Sequence, residues 1–119
     1  GNKQEEQWFK NHGHYREGDL PSVIKYYENG VKNSEEWKKS FTFYKRENNL
    51  PNFILYNPKG NKKEEIWYDE TGNFHCKEGP SYIEYYENGN KKREMWYENG
   101  NRIQEIEYVN RNNGNCTIM

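Results

Sequence analysis

The chain has 119 residues, enough for one compact unit or a short array. Its 18 Lys and Arg nearly balance 19 Asp and Glu, and the formal net charge of −1 argues against a strongly basic nucleic-acid binder and against a polybasic membrane surface. Mean hydropathy is strongly negative, yet 11 Tyr, 5 Phe and 4 Trp outnumber Val, Ile and Leu together, so any core must be mostly aromatic.

The first element is a fragment, Glu6-Gln7-Trp8, which reads as the tail of a copy that begins upstream; the chain opens on Gly1 rather than Met. Next comes Pro21-Ser-Val-Ile-Lys-Tyr-Tyr-Glu-Asn-Gly30, leading through a charged strand to Trp37. A degenerate copy runs from Pro51 to Trp67, with Pro58-Lys59-Gly60 in place of Glu-Asn-Gly. After it, Trp67-Tyr-Asp-Glu-Thr-Gly72 predicts a turn, Asn73 to Cys76 a short strand, and Gly79-Pro80 a bend. The clearest copy runs Pro80-Ser-Tyr-Ile-Glu-Tyr-Tyr-Glu-Asn-Gly89, then Asn90 to Trp96. Asn99-Gly100 turns the chain into Arg102 to Tyr108, and the Asn-rich stretch 110–119 predicts a flexible tail.

Trp8, Trp37, Trp67 and Trp96 are thus spaced by 29, 30 and 29 residues, and Pro21, Pro51, Pro80 and Gly30, Gly60, Gly89 keep the same step. Three residue types repeating in phase define a tandem array over residues 1–109. Alanine is absent while Tyr, Trp, Ile and Phe are plentiful, which leans to strands. The expected fold is all-β: an antiparallel meander of stacked β-hairpins in one elongated sheet, each copy burying its aromatic stripe against its neighbours.

Asn88-Gly89 suits a two-residue type I′ turn. That register sets Glu87 against Asn90 and Glu84 against Arg93, an opposite-charge cross-strand pair. Ile83, Tyr85, Glu94 and Trp96 then share one face; Tyr82, Tyr86, Arg93 and Met95 share the other. Ile24, Ile54, Ile83 and Tyr26, Tyr56, Tyr85 recur in phase, so theirs is the expected packed face, together with the tryptophans. The face of Tyr27, Tyr82 and Tyr86 varies between copies and is the expected wetter one.

Tyr-Tyr-Glu-Asn-Gly, followed by a charged strand ending Glu-x-Trp and by Tyr97-Glu-Asn-Gly100, resembles the variant MORN repeat of bacterial antitoxin-like proteins and giant-virus repeat families. The likeness covers nearly the whole chain, although the period is longer than usual and His75-Cys-Lys-Glu-Gly-Pro80 replaces the usual His-Gly-x-Gly element. It implies stacked hairpins in a twisted sheet, with protein scaffolding and sometimes lipid contact as the associated functions. Catalytic residues are not part of what it implies. A fainter similarity is to choline-binding cell-wall repeats, whose Gly-Trp opening is missing.

Glu6, Glu35, Glu65 and Glu94 each stand two residues before a Trp and so on its face. They form either an acidic ladder for a basic partner or a set of structural carboxylates paired with Arg16, Arg46, Lys77 or Tyr hydroxyls of adjacent strands. Presence in every copy argues against a catalytic pair, which is needed once. His12 and His14 form a His-x-His, and His75 precedes Cys76, but no convergent metal-ligand pattern is visible and no metal or cofactor is expected. Two cysteines without a zinc spacing favour a reducing, cytoplasmic setting over a disulfide framework. No apolar run approaches the roughly 20 residues of a membrane span.

The chain ends Cys116-Thr-Ile-Met119, a CaaX-like pattern whose Cys116 could carry a prenyl group in a eukaryotic host. The leading expectation is a non-enzymatic module for protein–protein interaction or scaffolding, binding its protein partner through Tyr27, Tyr82 and Tyr86. One alternative is a peripheral membrane protein lipidated at Cys116, and another is carbohydrate binding through the aromatic rows. Self-association through sheet edges is a further expectation.

Overall fold

The computed structural model describes residues 4–10 and 13–110, and the backbone of 116–118. In chain order the strands are β1 (Glu5–Gln7), β2 (Phe9–Lys10), β3 (Gly13–His14), β4 (Val23–Tyr26), β5 (Lys32–Glu36), β6 (Lys38–Lys39) and β7 (Thr42–Phe43), followed by a single 3-10 turn at Glu47–Asn49. Beyond it lie β8 (Phe53–Tyr56), β9 (Lys62–Ile66), β10 (Tyr82–Tyr85), β11 (Lys91–Glu98), β12 (Asn101–Asn110) and β13 (Cys116–Ile118). Among the described residues, nine strands form one sheet in the order β1-β4-β5-β8-β9-β10-β11-β12-β13, each antiparallel to the next. The fold is all-β, as expected; short turns join the two strands of each hairpin, and the longer segments 8–22, 37–52 and 67–81 carry the chain to the neighbouring hairpin. The described residues span 48 × 38 × 21 Å.

Part of the stretch expected as a tail is paired: β13 lies against Tyr108–Asn110, while residues 111–115 and 119 lie outside the described residues. The sequence did not foresee the two-stranded ribbons β2–β3 and β6–β7, which leave the sheet directly after Trp8 and Trp37. After Trp67 the expected short strand at 73–76 contracts to a single bridge between Tyr68 and Phe74.

The turns correct the sequence reading in one respect. Gly89 donates its amide to Tyr86 O at 2.9 Å and Tyr86 donates to Asn90 O at 2.8 Å, which closes a three-residue loop. Gly89 has φ +93° while Asn88 is not in the left-handed region, so this is a type I turn with a glycine bulge rather than type I′. The same bonds recur at Tyr27 with Gly30 and Asn57 with Gly60. Only the final position needs a positive φ, so Pro58-Lys59 can replace Glu-Asn: proline suits the first turn position. At Asn99-Gly100 both residues have positive φ, the pattern of a type I′ turn.

The predicted Glu84–Arg93 pair is present, with Ile83 opposite Glu94 and Tyr82 opposite Met95. The register shifts after Glu84, so that Tyr85 faces Lys91 and Lys92 is the extra residue. Equivalent shifts follow Lys25 and Leu55.

Both faces of the central strands are packed. On one, Glu6, Ile24, Glu35, Ile54, Glu65, Ile83, Glu94 and Ile106 form a single row of cross-strand partners. On the other, buried Ile66, Tyr82 and Met95 form a cluster joined by Phe53, Tyr68, Phe74 and Tyr97. Tyr82 is therefore not on a wet face: it is 8 % exposed. Phe74, brought over the sheet by the segment after Trp67, stacks on it with centroids 5.9 Å apart. A one-strand alternation pattern cannot reveal a cover supplied by another segment.

Candidate functional site

The row of carboxylates is consumed internally. Tyr26 donates its hydroxyl to Glu6, Tyr56 to Glu35 at 2.5 Å, Tyr85 to Glu65, and Tyr108 to Glu94. Each bond joins adjacent strands of successive hairpins. Lys32, Lys62 and Lys91 add ion pairs at 3.2, 3.2 and 3.3 Å to Glu35, Glu65 and Glu94. Burial, followed by the bonded carboxylate, pushes the Tyr56 and Tyr85 hydroxyls well above the usual tyrosine range. The Tyr26 hydroxyl is also raised, first by its bond to Glu6. Of the partners expected for these carboxylates, the tyrosine hydroxyls are present; Arg16 and Arg46 point elsewhere.

Those arginines cap tryptophans. The guanidinium of Arg16 lies 3.8 Å from the ring centroid of Trp8 and donates to Pro21 O at 3.2 Å. Arg46 lies 3.8 Å from the ring centroid of Trp37, donates to Pro51 O at 2.7 Å, and binds Asp19 through Nε and Nη2. The indole Nε1 of Trp37 donates to Asp19 O. With this lid Trp37 is only 3 % exposed.

In the next copy the indole of Trp67 donates to Asn49 O at 2.9 Å, so Asn49 stands where Asp19 stood. The residue that meets the Asn49 side chain is Cys76, its thiol 3.1 Å from Oδ1. A thiol cannot extend over an indole, and Trp67 is left half-buried. It lines an open pocket of about 510 Å³ with Phe43, Tyr44, Leu50, Tyr68 and His75. Asp69, Glu70, Lys45 and Lys77 also line it, with no net charge among them. Trp96 is likewise half-buried, beside the exposed Ile103. Of the three tryptophans expected to be largely buried, Trp37 is sealed, while Trp67 and Trp96 are of intermediate exposure and each borders a pocket.

The three tyrosines named from the sequence do not converge. Tyr27 and Tyr86 occupy equivalent places, half-buried, donating to Tyr56 O at 2.7 Å and Tyr108 O at 2.9 Å. Tyr82 is interior and donates to Glu64 at 2.5 Å. Tyr27 and Tyr86 border two shallow depressions rather than one site.

His12 lies outside the described residues. His14 is buried, stacked on Phe9 and edge-on to Phe41, with Nε2 2.8 Å from Gln7 Oε1. Burial, then the charge of Lys38, lowers its pKa. Among the described residues no group of three or more His, Cys, Asp or Glu could hold a metal ion, and no helix is long and apolar enough to cross a membrane.

The Trp67 pocket was missed in the sequence reading. Its signal was there: an Arg stands five residues before Pro21 and before Pro51, whereas no Arg lies between Trp67 and Pro80. No family model, curated protein or solved structure matches the chain.

Proposed function

We propose that this chain is a non-enzymatic protein-interaction module of MORN-like repeats that receives its partner on the side of the sheet carrying the Trp67 pocket. The observation that carries the reading is how the side chains are spent. The ladder carboxylates already hold a tyrosine hydroxyl, and Glu35, Glu65 and Glu94 each hold a lysine as well, which leaves them poor general acids or bases. Aromatic and apolar surface remains unspent around Trp67, with Leu50 41 % exposed at its rim and Ile103 61 % exposed at the adjoining Trp96 depression. Aromatic anchors set in a partly apolar pocket are the features that dominate protein interfaces.

The test is site-specific photocrosslinking in lysate of the source cells. A benzophenone side chain at Leu50 or Ile103 should give discrete adducts, and one at Lys32, on the ladder face, should not. Equal adduct patterns at all three positions, or none at any, would refute the proposal.

A further inference from the structure

We infer that the exposed face of Trp67 is a receptor for an arginine side chain of a partner protein. The inference rests on the interaction reading above and adds the chemistry of the contact. The chain itself shows what this place accepts. In two copies a guanidinium lies 3.8 Å from the tryptophan ring centroid and donates to the carbonyl of the following proline, Pro21 or Pro51. In the third, the indole and its bond to the preceding copy are kept, and Pro80 occupies the place of the proline. Cys76 meets the Asn49 side chain as Arg46 meets Asp19, no described guanidinium lies on the ring, and an open pocket adjoins it.

The chain has no arginine left to fill it among the described residues. Arg16 and Arg46 are on their own tryptophans, Arg93 is bound to Glu84 and Glu105, and Arg102 to Glu105. The four described arginines are thus all engaged, and the inference places the occupant on another molecule. Attraction comes from the negative face of the indole, since Asp69 and Glu70 are balanced by Lys45 and Lys77. Arginine fits better than lysine because a planar guanidinium stacks and donates sideways at once.

The whole chain, labelled with fluorotryptophan, would be titrated with the peptide acetyl-Gly-Arg-Gly-amide and followed by fluorine NMR. The Trp67 resonance should move saturably, with an affinity in about the millimolar range expected of one isolated side chain. The citrulline peptide, equal in shape but uncharged, should bind at least several-fold more weakly. Cys76→Arg restores the residue found in the other copies; it should shift the Trp67 resonance without peptide and abolish the response to peptide. Cys76→Ser should respond like the natural chain, which separates occupancy of the slot from loss of the thiol. The inference is overturned if no resonance moves, if citrulline acts equally, or if Cys76→Arg still responds unchanged. Crosslinks at Leu50 that persist despite such a failure would leave the interaction reading standing and remove only the arginine.

Discussion

Lys91 and Glu94 lie three residues apart in one strand, and their side chains meet at 3.3 Å. In a regular strand such residues point to opposite faces. The extra residue at Lys92 reverses the alternation between them and puts both charges on the face of Tyr108, which donates its hydroxyl to Glu94. Lys32 with Glu35 and Lys62 with Glu65 repeat the arrangement across equivalent register shifts. The bulge is thus what allows a buried carboxylate to be satisfied by one neighbour along the strand and another across it.

That arrangement predicts energetic coupling between hairpins. Tyr85→Phe removes the hydroxyl from Glu65, a buried carboxylate, and should cost about 1.5–3 kcal/mol in urea unfolding. Glu65→Gln should cost less in the Tyr85→Phe background than in the natural chain, with a coupling of about 0.5–3 kcal/mol. Additive single effects would show that the bond contributes nothing to stability.

Alkaline pH should unfold the protein. Tyr56, Tyr82 and Tyr85 are all raised, first by burial and then by bonds to Glu35, Glu64 and Glu65. Above about pH 10 the unfolded chain releases these protons while the folded chain retains them. Their contribution is therefore fully present below about pH 10 and is lost as pH rises toward the folded values. Melting temperature should stay level up to that point and then fall, with the tyrosinate absorbance of these three residues appearing together with unfolding. Tyrosinate formed in a chain that keeps its native circular dichroism would contradict the prediction.

The tryptophans should not be equivalent. Trp37→Ala removes a ring that is buried under Arg46 and should cost about 3–5 kcal/mol. Trp67→Ala removes a half-buried ring and should cost less, as measured by the shift in urea midpoint at constant slope. The reverse order would show that Trp67 is covered in solution.

Gly13→Ala should destabilise by about 1–3 kcal/mol through overpacking. A methyl there would approach Ser40 Cα to 2.6 Å, where Ser40 donates to His14 O and locks ribbon β2–β3 against β6–β7. Calorimetry showing an unchanged melting temperature would mean that the ribbons are not docked.

The Glu84–Arg93 pair read from the sequence is present because the third loop residue and the extra Lys92 offset each other. The sequence by itself determined the all-β class, the step of 29–30 residues, and the hairpins Pro21–Trp37, Pro51–Trp67 and Pro80–Trp96. These follow from local chemistry: glycines supplying positive φ, alternation along a strand, and residues recurring in phase. It also allowed tyrosine hydroxyls as partners of Glu35 and Glu65. It could not show that Tyr82 is interior, because Phe74 covers it from 8 residues away. Nor could it show that Lys91 shares a face with Glu94, because a bulge changes side-chain parity without leaving a residue signature. Whether a tryptophan is sealed or borders a pocket was decided only in three dimensions. Trp37 and Trp67 are the same residue in the same place, and what separates them is whether an arginine 9 residues later reaches back over the ring or a cysteine falls short of it.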